Sequence, residues 1–110
     1  MGSEPGFQVE LRRDESGFVV TPSGELDIAT VGDVRRALEA RRPGEALCLD
    51  LSQLSFLDTS GIQLVVEAHR SAGGDDFPLT VVRAPPGVQR VFEIAGLEGV
   101  LPFADGSPGA

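Results

Sequence analysis

The most constraining feature of this chain is the stretch from Ala46 to Gly61, where a short apolar segment runs into a turn of hydroxyl and carboxylate side chains. The residues after this turn, at positions 62, 65, 66 and 69, have the i, i+3, i+4, i+7 spacing of one helix face. The pattern predicts a strand, a turn and an amphipathic helix, with Asp58, Thr59 and Ser60 at the helix N-terminus. Unpaired backbone N–H groups at such a position favour a capping oxygen and tolerate a phosphate.

The rest of the chain alternates between strand and helix patterns. A hairpin is predicted over 7–12 and 17–21, further strands over 46–52 and 79–83, and a short last strand over 100–103. Thr30 is a candidate N-cap for a first helix, the second helix is predicted to end at 72–74, and a third helix is marked by positions 88, 91, 92 and 95. Strands that alternate with helices favour parallel pairing, so we expect a mixed sheet covered by helices.

Composition excludes several classes of function. The chain of 110 residues carries a net charge of −8, with nine Arg and no Lys, which argues against nucleic acid and against an anionic membrane surface. No apolar run is long enough to span a bilayer and no signal-peptide pattern occurs, so we expect a cytoplasmic protein. The single cysteine, Cys48, is predicted to be a core residue, and neither a metal nor a cofactor is expected.

Three segments together resemble bacterial anti-sigma-factor antagonists, which are stand-alone members of the STAS domain family. They are Leu49–Gly61, Gly24–Thr30 and Val88–Leu97, and they occur in the family's order between about Phe7 and Phe103. The resemblance implies the STAS fold, an α/β architecture in which three to four helices cover a mixed four- to five-stranded sheet. A single STAS domain is expected over 1–104, followed by a disordered tail over 105–110.

The resemblance also implies a partner-switching function. Thr59 corresponds to the family's phosphoacceptor, which is more often Ser, and Ser60 is the alternative acceptor. The unphosphorylated protein would bind an anti-sigma factor that is also a serine/threonine kinase and so release a sigma factor. A PP2C-type phosphatase would reset the switch. The implied partner interface comprises Asp27, Asp58, Thr59, Ser60, Gly61 and Ile62, and the free protein is expected to be a monomer or weak dimer.

Several alternatives stay open from the sequence. Thr59 or Ser60 could serve only as an N-cap, Gly61 could be a packing accommodation, and Asp27 could be a turn residue. An enzyme is not expected, because there is no nucleophile elbow or Walker loop, and the only histidine, His69, is predicted to be a partly buried structural residue. The alternative functions are a non-switching STAS subunit of a lipid-transport ATPase assembly and a STAS ligand-sensing module.

Overall fold

The computed structural model describes residues 6–106, which form a mixed β-sheet and three helices. The strands are β1 (Gln8–Asp14), β2 (Gly17–Leu26), β3 (Leu47–Asp50), β4 (Leu54–Leu57), β5 (Leu79–Val82) and β6 (Phe103–Ala104). The helices are α1 (Val31–Leu38), α2 (Thr59–Asp75) and α3 (Pro86–Ile94). The predicted fold class, an α/β domain with a mixed sheet and a helical cover, is confirmed.

The strand order brings the ends of β2 and β4 together. β1 and β2 form the predicted antiparallel hairpin, and β2 then pairs in parallel with β3 through its first half and with β4 through its last three residues. β5 and β6 extend the sheet in parallel on the other side of β3. Leu26 and Leu57, the last residues of β2 and β4, are opposite each other. The segments that follow these two strands therefore leave the sheet side by side.

One hydrophobic core joins the sheet to all three helices. Alternate strand residues face it, as expected when neighbouring side chains of a strand point to opposite faces. Its members include Phe18, Val20, Leu47, Leu49 and Val81 from the strands, and Val34, Leu64, Val65 and Phe92 from the helices. Cys48 is buried on the opposite face of the sheet with Val19 and Val82, so its prediction as a core residue is confirmed.

The sheet contains one strand more than the maximum of five predicted from the sequence. The additional strand is β4, which is only four residues long and lies within the segment that the sequence presented as the approach to the turn. Its partner is the end of β2, which is distant in the chain, so no local pattern marks it. The last strand, β6, begins at Phe103 rather than at Val100 and pairs with Val81 and Val82.

Helix α2 differs from its prediction in its length and in the face that it buries. It continues through Gly73 and Gly74 to Asp75, and Asp76 ends it with a left-handed backbone (φ 56°) and an N–H bond to the Ala72 carbonyl. Its buried residues are Gly61, Leu64, Val65, Ala68 and Ala72. Of the four predicted positions only Val65 is buried, whereas His69 is half-buried as expected. Small residues at 61, 68 and 72 let the helix lie close to the sheet. The sequence-based prediction of the buried face relied on large apolar side chains at helical spacing and therefore missed these small residues.

The predicted disordered tail over 105–110 lies mostly outside the described residues. Residues 1–5, where no signal peptide was expected, also lie outside them. Asp105, which is described, lies 3.1 Å from the Arg83 guanidinium in an ion pair. None of the helices within residues 6–106 is both long and apolar enough to cross a membrane.

Candidate functional site

Asp58 caps the N-terminus of α2. Its backbone is extended (φ −116°, ψ −168°), and its Oδ1 accepts hydrogen bonds from the N–H groups of Ser60 (2.9 Å) and Gly61 (3.4 Å). This is the usual geometry of an aspartate N-cap, in which the side chain satisfies N–H groups that have no partner within the helix. The sequence placed Asp58, Thr59 and Ser60 at this helix N-terminus, and the structure assigns the cap to Asp58.

Thr59 is therefore free of the capping role. It is the first residue of α2 and is exposed, and its hydroxyl makes no hydrogen bond to any residue within 6–106. Ser60, the next residue, is half-buried, and its backbone N–H is held by Asp58. Neither Thr59 nor Ser60 is the N-cap, and Thr59 is the more exposed of the two residues.

Asp27 lies at the start of the turn between β2 and α1. Its Oδ1 accepts a hydrogen bond from the Ala29 N–H (2.9 Å), and its backbone carbonyl accepts from the N–H of Val31 (2.9 Å). Thr30, which is buried at the N-cap position of α1, does not cap the helix. Its hydroxyl instead donates to the Glu25 carbonyl (2.8 Å) and accepts from the Asp27 N–H (2.9 Å). The turn is thus held by its own hydrogen bonds.

The sheet places the Asp27 turn next to the Thr59 turn. Asp27 follows Leu26 and Asp58 follows Leu57, two residues that are register partners, and the Asp58 N–H donates to the Leu26 carbonyl (3.3 Å). The carboxyl ends of adjacent parallel strands are a common location for binding sites. The turns that carry Asp27 and Thr59 therefore leave the sheet side by side.

Gly61 and Ile62 have a different relation to this surface. Gly61 is buried, and a Cβ there would lie 2.9 Å from Leu57 Cγ and 3.2 Å from Leu26 Cδ2. The absent side chain accommodates the two strand ends, which favours the packing alternative for Gly61 over a direct contact with a partner. Ile62 is half-buried and packs against the core, which leaves only part of its side chain accessible.

The structure adds two apolar side chains that the sequence did not single out. Ile28, in the turn between Asp27 and Thr30, is 79% exposed, and Phe56, on β4 opposite Glu25, is 47% exposed. Contiguous exposed apolar patches often mark protein-binding surfaces, whereas single exposed apolar side chains are common on protein surfaces. Ile28 was detectable as an apolar residue inside a turn, whereas the exposure of Phe56 depends on β4 and its pairing.

The charge of the site is negative. No Arg occurs in 24–30 or 54–63, whereas Glu25, Asp27 and Asp58 do. Residues 6–106 contain no group of three or more His, Cys, Asp or Glu side chains arranged to hold a metal ion. What the arrangement offers chemically is an exposed threonine at a helix N-terminus, next to the Asp58 carboxylate and beside the turn that carries Asp27 and Ile28.

Comparison with known proteins agrees with the architecture. A family sequence model described as "Mlab, STAS domain" matches residues 9–102. The chain belongs to the STAS domain family. It is 28% identical over 102 residues to the anti-sigma F factor antagonist of Paenibacillus polymyxa, covering 90% of this chain and 87% of the relative. It is 30% identical over 98 residues to the anti-sigma-B factor antagonist of Listeria monocytogenes, covering 86% of each. The predicted resemblance to antagonists of this family is confirmed.

Solved structures show the same fold. An anti-sigma factor antagonist from Mycobacterium paratuberculosis superposes with a TM-score of 0.78 at 24% identity, covering 94% of this chain and 91% of the other. The antagonist SpoIIAA superposes in its unphosphorylated form with a TM-score of 0.71 at 24% identity, covering 93% and 89%. SpoIIAA from Bacillus in its phosphorylated form gives 0.66 at 23% identity, covering 93% and 92%.

Proposed function

We propose that this protein is a cytoplasmic anti-sigma-factor antagonist that is switched off by phosphorylation of Thr59. In the unphosphorylated state it binds an anti-sigma factor that is also a serine/threonine kinase, which frees a sigma factor. The kinase then transfers the ATP γ-phosphoryl group to the Thr59 hydroxyl, whose proton is released, and the complex dissociates. A PP2C-type phosphatase hydrolyses the phosphate and restores the binding form.

The observation that carries the proposal is the accessible, unbonded hydroxyl of Thr59 at the N-terminus of α2. An acceptor must reach a kinase active site without unfolding its own helix, and Thr59 meets that condition because Asp58 does the capping. The relatives named as antagonists, and a related antagonist observed in both phosphorylation states, support the choice of reaction.

The electrostatics of the site favour a surface switch over a change of fold. A phosphate adds about −1.5 to −2 charges. Asp58 already occupies the Ser60 and Gly61 N–H groups, and no Arg within 24–30 or 54–63 could draw the phosphate inward. The phosphate therefore projects into solvent beside Asp27 and Asp58. The bulk and the negative charge of the phosphate would therefore prevent a partner from packing closely on this acidic surface.

The proposal predicts a defined set of contacts for the partner. Asp27, Asp58, Thr59, Ser60 and the accessible part of Ile62 form the polar surface, and Ile28 supplies an exposed apolar side chain beside it. Gly61 contributes by allowing α2 to sit close to the sheet, and not by direct contact.

The test is to express tagged wild type, Thr59→Ala and Thr59→Glu in the native host and to identify the copurifying proteins by mass spectrometry. Wild type and Thr59→Ala should retain an anti-sigma factor with a kinase fold, and Thr59→Glu should lose it. With the purified partner, ATP should release wild type but not Thr59→Ala. Retention of the partner by Thr59→Glu, or copurification with transporter subunits in place of such a kinase, would overturn the proposal and favour the lipid-transport alternative.

A further inference from the structure

We propose that β1 pairs with β1 of a second copy of this chain, antiparallel and about a two-fold axis at Leu11. β1 lies at one end of the strand order, and no residue within 6–106 pairs with its outer side. A seven-residue strand at a sheet edge is long enough to template such pairing. The occupant is a second copy because the strand is complementary to itself.

The hairpin determines which backbone groups face outward. The Phe18 N–H donates to the Ala46 carbonyl (2.9 Å) on the β3 side, so Phe18 and Arg13 form a non-hydrogen-bonded pair in the β1–β2 ladder. By alternation the pair of Val9 with Pro22 is also non-hydrogen-bonded, which suits a proline because it has no N–H. The backbone N–H and C=O groups of Val9, Leu11 and Arg13 therefore point to the open edge.

Several registers of the β1–β1 pair would use these outward-facing backbone groups, and the charged side chains of β1 favour one of them. Leu11 is the midpoint of β1, so a two-fold axis there pairs the whole strand and sets Glu10 opposite Arg12 on both sides. Moving the axis to Glu10 sets Glu10 opposite Glu10, and moving it to Arg12 sets Arg12 opposite Arg12. Opposite charges across a strand pair are favourable, whereas like charges are unfavourable.

The side chains of the single copy are consistent with this register. The Glu10 carboxylate forms no hydrogen bond or ion pair with any residue within 6–106, and Leu11 is 47% exposed. Among the residues that the structure describes, Arg12 pairs with a single carboxylate, that of Asp14 at 2.7 Å. Pairing supplies a partner for Glu10, a second carboxylate for Arg12, and an apolar contact between the two Leu11 side chains.

The dimer leaves the Thr59 surface accessible. The two-fold axis reverses the strand direction of the second copy, so the carboxyl ends of β2 and β4 in the two copies point in opposite directions. The inference thus goes beyond the proposed switch and does not depend on it. Because the interface is one strand wide and each chain carries a net charge of −8, we expect a weak dimer that forms as concentration rises.

Charge reversal tests both the surface and the register. By light scattering and sedimentation over a concentration series, wild type should show a monomer–dimer equilibrium. Glu10→Arg and Arg12→Glu should each raise the dissociation constant by about tenfold or more, because each sets like charges opposite on both sides of the axis. An equimolar mixture of these two variants should form a heterodimer, and the double variant Glu10→Arg/Arg12→Glu should dimerise like wild type.

Glu15→Arg is the matched control, since it makes the same change of net charge in the exposed turn after β1. It should leave dimerisation at least as strong as in wild type, and circular dichroism should show that all variants are folded. The proposal is overturned if wild type stays monomeric up to about millimolar concentration, if both single variants dimerise like wild type, or if the mixture forms no heterodimer.

Discussion

Asp58 and Thr59 are adjacent in the chain, yet only one of them is bound into the fold. The Asp58 carboxylate accepts hydrogen bonds from N–H groups in the first turn of α2, whereas the Thr59 hydroxyl forms no hydrogen bond with any residue within 6–106. The cap and the proposed phosphoacceptor are therefore different side chains. Under the proposed function, phosphorylation of Thr59 removes no hydrogen bond that holds the helix.

Replacing each of these residues by alanine should separate the two roles. Asp58→Ala removes the N-cap and should lower the free energy of unfolding by about 1 kcal/mol. Thr59→Ala should change it by less than about 0.5 kcal/mol, as is usual for an exposed side chain without specific contacts. Urea denaturation measures both. An equal loss of stability in the two variants would contradict the assignment of the cap to Asp58.

Helix α2 contains three glycines that play different parts. Gly61 is buried against Leu57 and Leu26, whereas a Cβ at Gly73 or Gly74 would meet nothing within 4 Å. Only Gly61 is required for the close approach of the helix to the ends of β2 and β4, and these strand ends hold Asp27 and Asp58 in place.

Alanine substitutions along α2 should therefore have opposite effects. Gly61→Ala forces Leu57 or Leu26 to move and should destabilise the protein by about 1–3 kcal/mol. Gly73→Ala, the matched control, gains helix propensity without a clash and should stabilise it by about 0.5–1 kcal/mol. Thermal unfolding distinguishes them by the sign of the shift in Tm. Stabilisation by Gly61→Ala would show that α2 packs less closely than the structure indicates.

An ion pair ties β1 to the loop before β3. Arg13 Nε donates to Glu45 Oε2 (2.7 Å), and the Arg42 N–H donates to Glu45 Oε1 (2.9 Å). The hydrogen bond from Arg13, followed by that from the Arg42 backbone, lowers the pKa of Glu45 from 4.5 to about 2. Since the Glu45 carboxyl binds its proton less tightly in the folded protein than in the unfolded chain, the pair stabilises the fold above pH 4.5.

This stabilisation should be lost as the pH falls from 4.5 towards 2, and Glu45→Gln should remove part of the pH dependence in that window. The effect should be small, because exposed ion pairs are screened by solvent and salt. Unfolding midpoints measured at several pH values report it. Glu15→Gln, in the exposed turn after β1, is the control and should retain the wild-type profile; identical profiles for wild type and Glu45→Gln would contradict this role for the pair.

At the scale of the whole molecule, local periodicity predicted most of the elements but not their mutual positions. The hairpin, the three helices and three of the later strands follow from residues close together in the sequence. β4 does not, because its pairing depends on β2. The end of α2 was predicted too early, because Gly73 and Gly74 lie in the exposed last turn and Asp76 provides the left-handed cap.

The candidate site was predicted only in part, because only some of its features follow from local sequence patterns. A helix N-terminus at Asp58-Thr59-Ser60 is a local property and is present in the structure. The division of roles between Asp58 and Thr59 depends on hydrogen-bond geometry, and the inward position of Gly61 depends on the packing of Leu57 and Leu26. The exposure of Phe56 likewise follows from tertiary structure, because it depends on the pairing of β4 with β2.

The whole fold should survive the proposed switch. Thr59→Glu should unfold at the same denaturant concentration as Thr59→Ser and give the same circular dichroism spectrum, because residue 59 is exposed and lies outside the core. The two variants should differ only in binding to the kinase. A Thr59→Glu protein that unfolds much earlier than Thr59→Ser would show that the substitution acts through stability and not at the surface.

The most direct test of the phosphorylation switch is intact-mass and peptide spectrometry of the protein purified from its native host before and after stress. We predict a fraction that carries the mass of one phosphate, located on Thr59 and not on Ser60, whose size changes with stress. Thr59→Ala should lack this fraction, and Ser60→Ala should keep it. A protein without phosphate under every condition, or with the phosphate on Ser60, would contradict Thr59 as the switch residue.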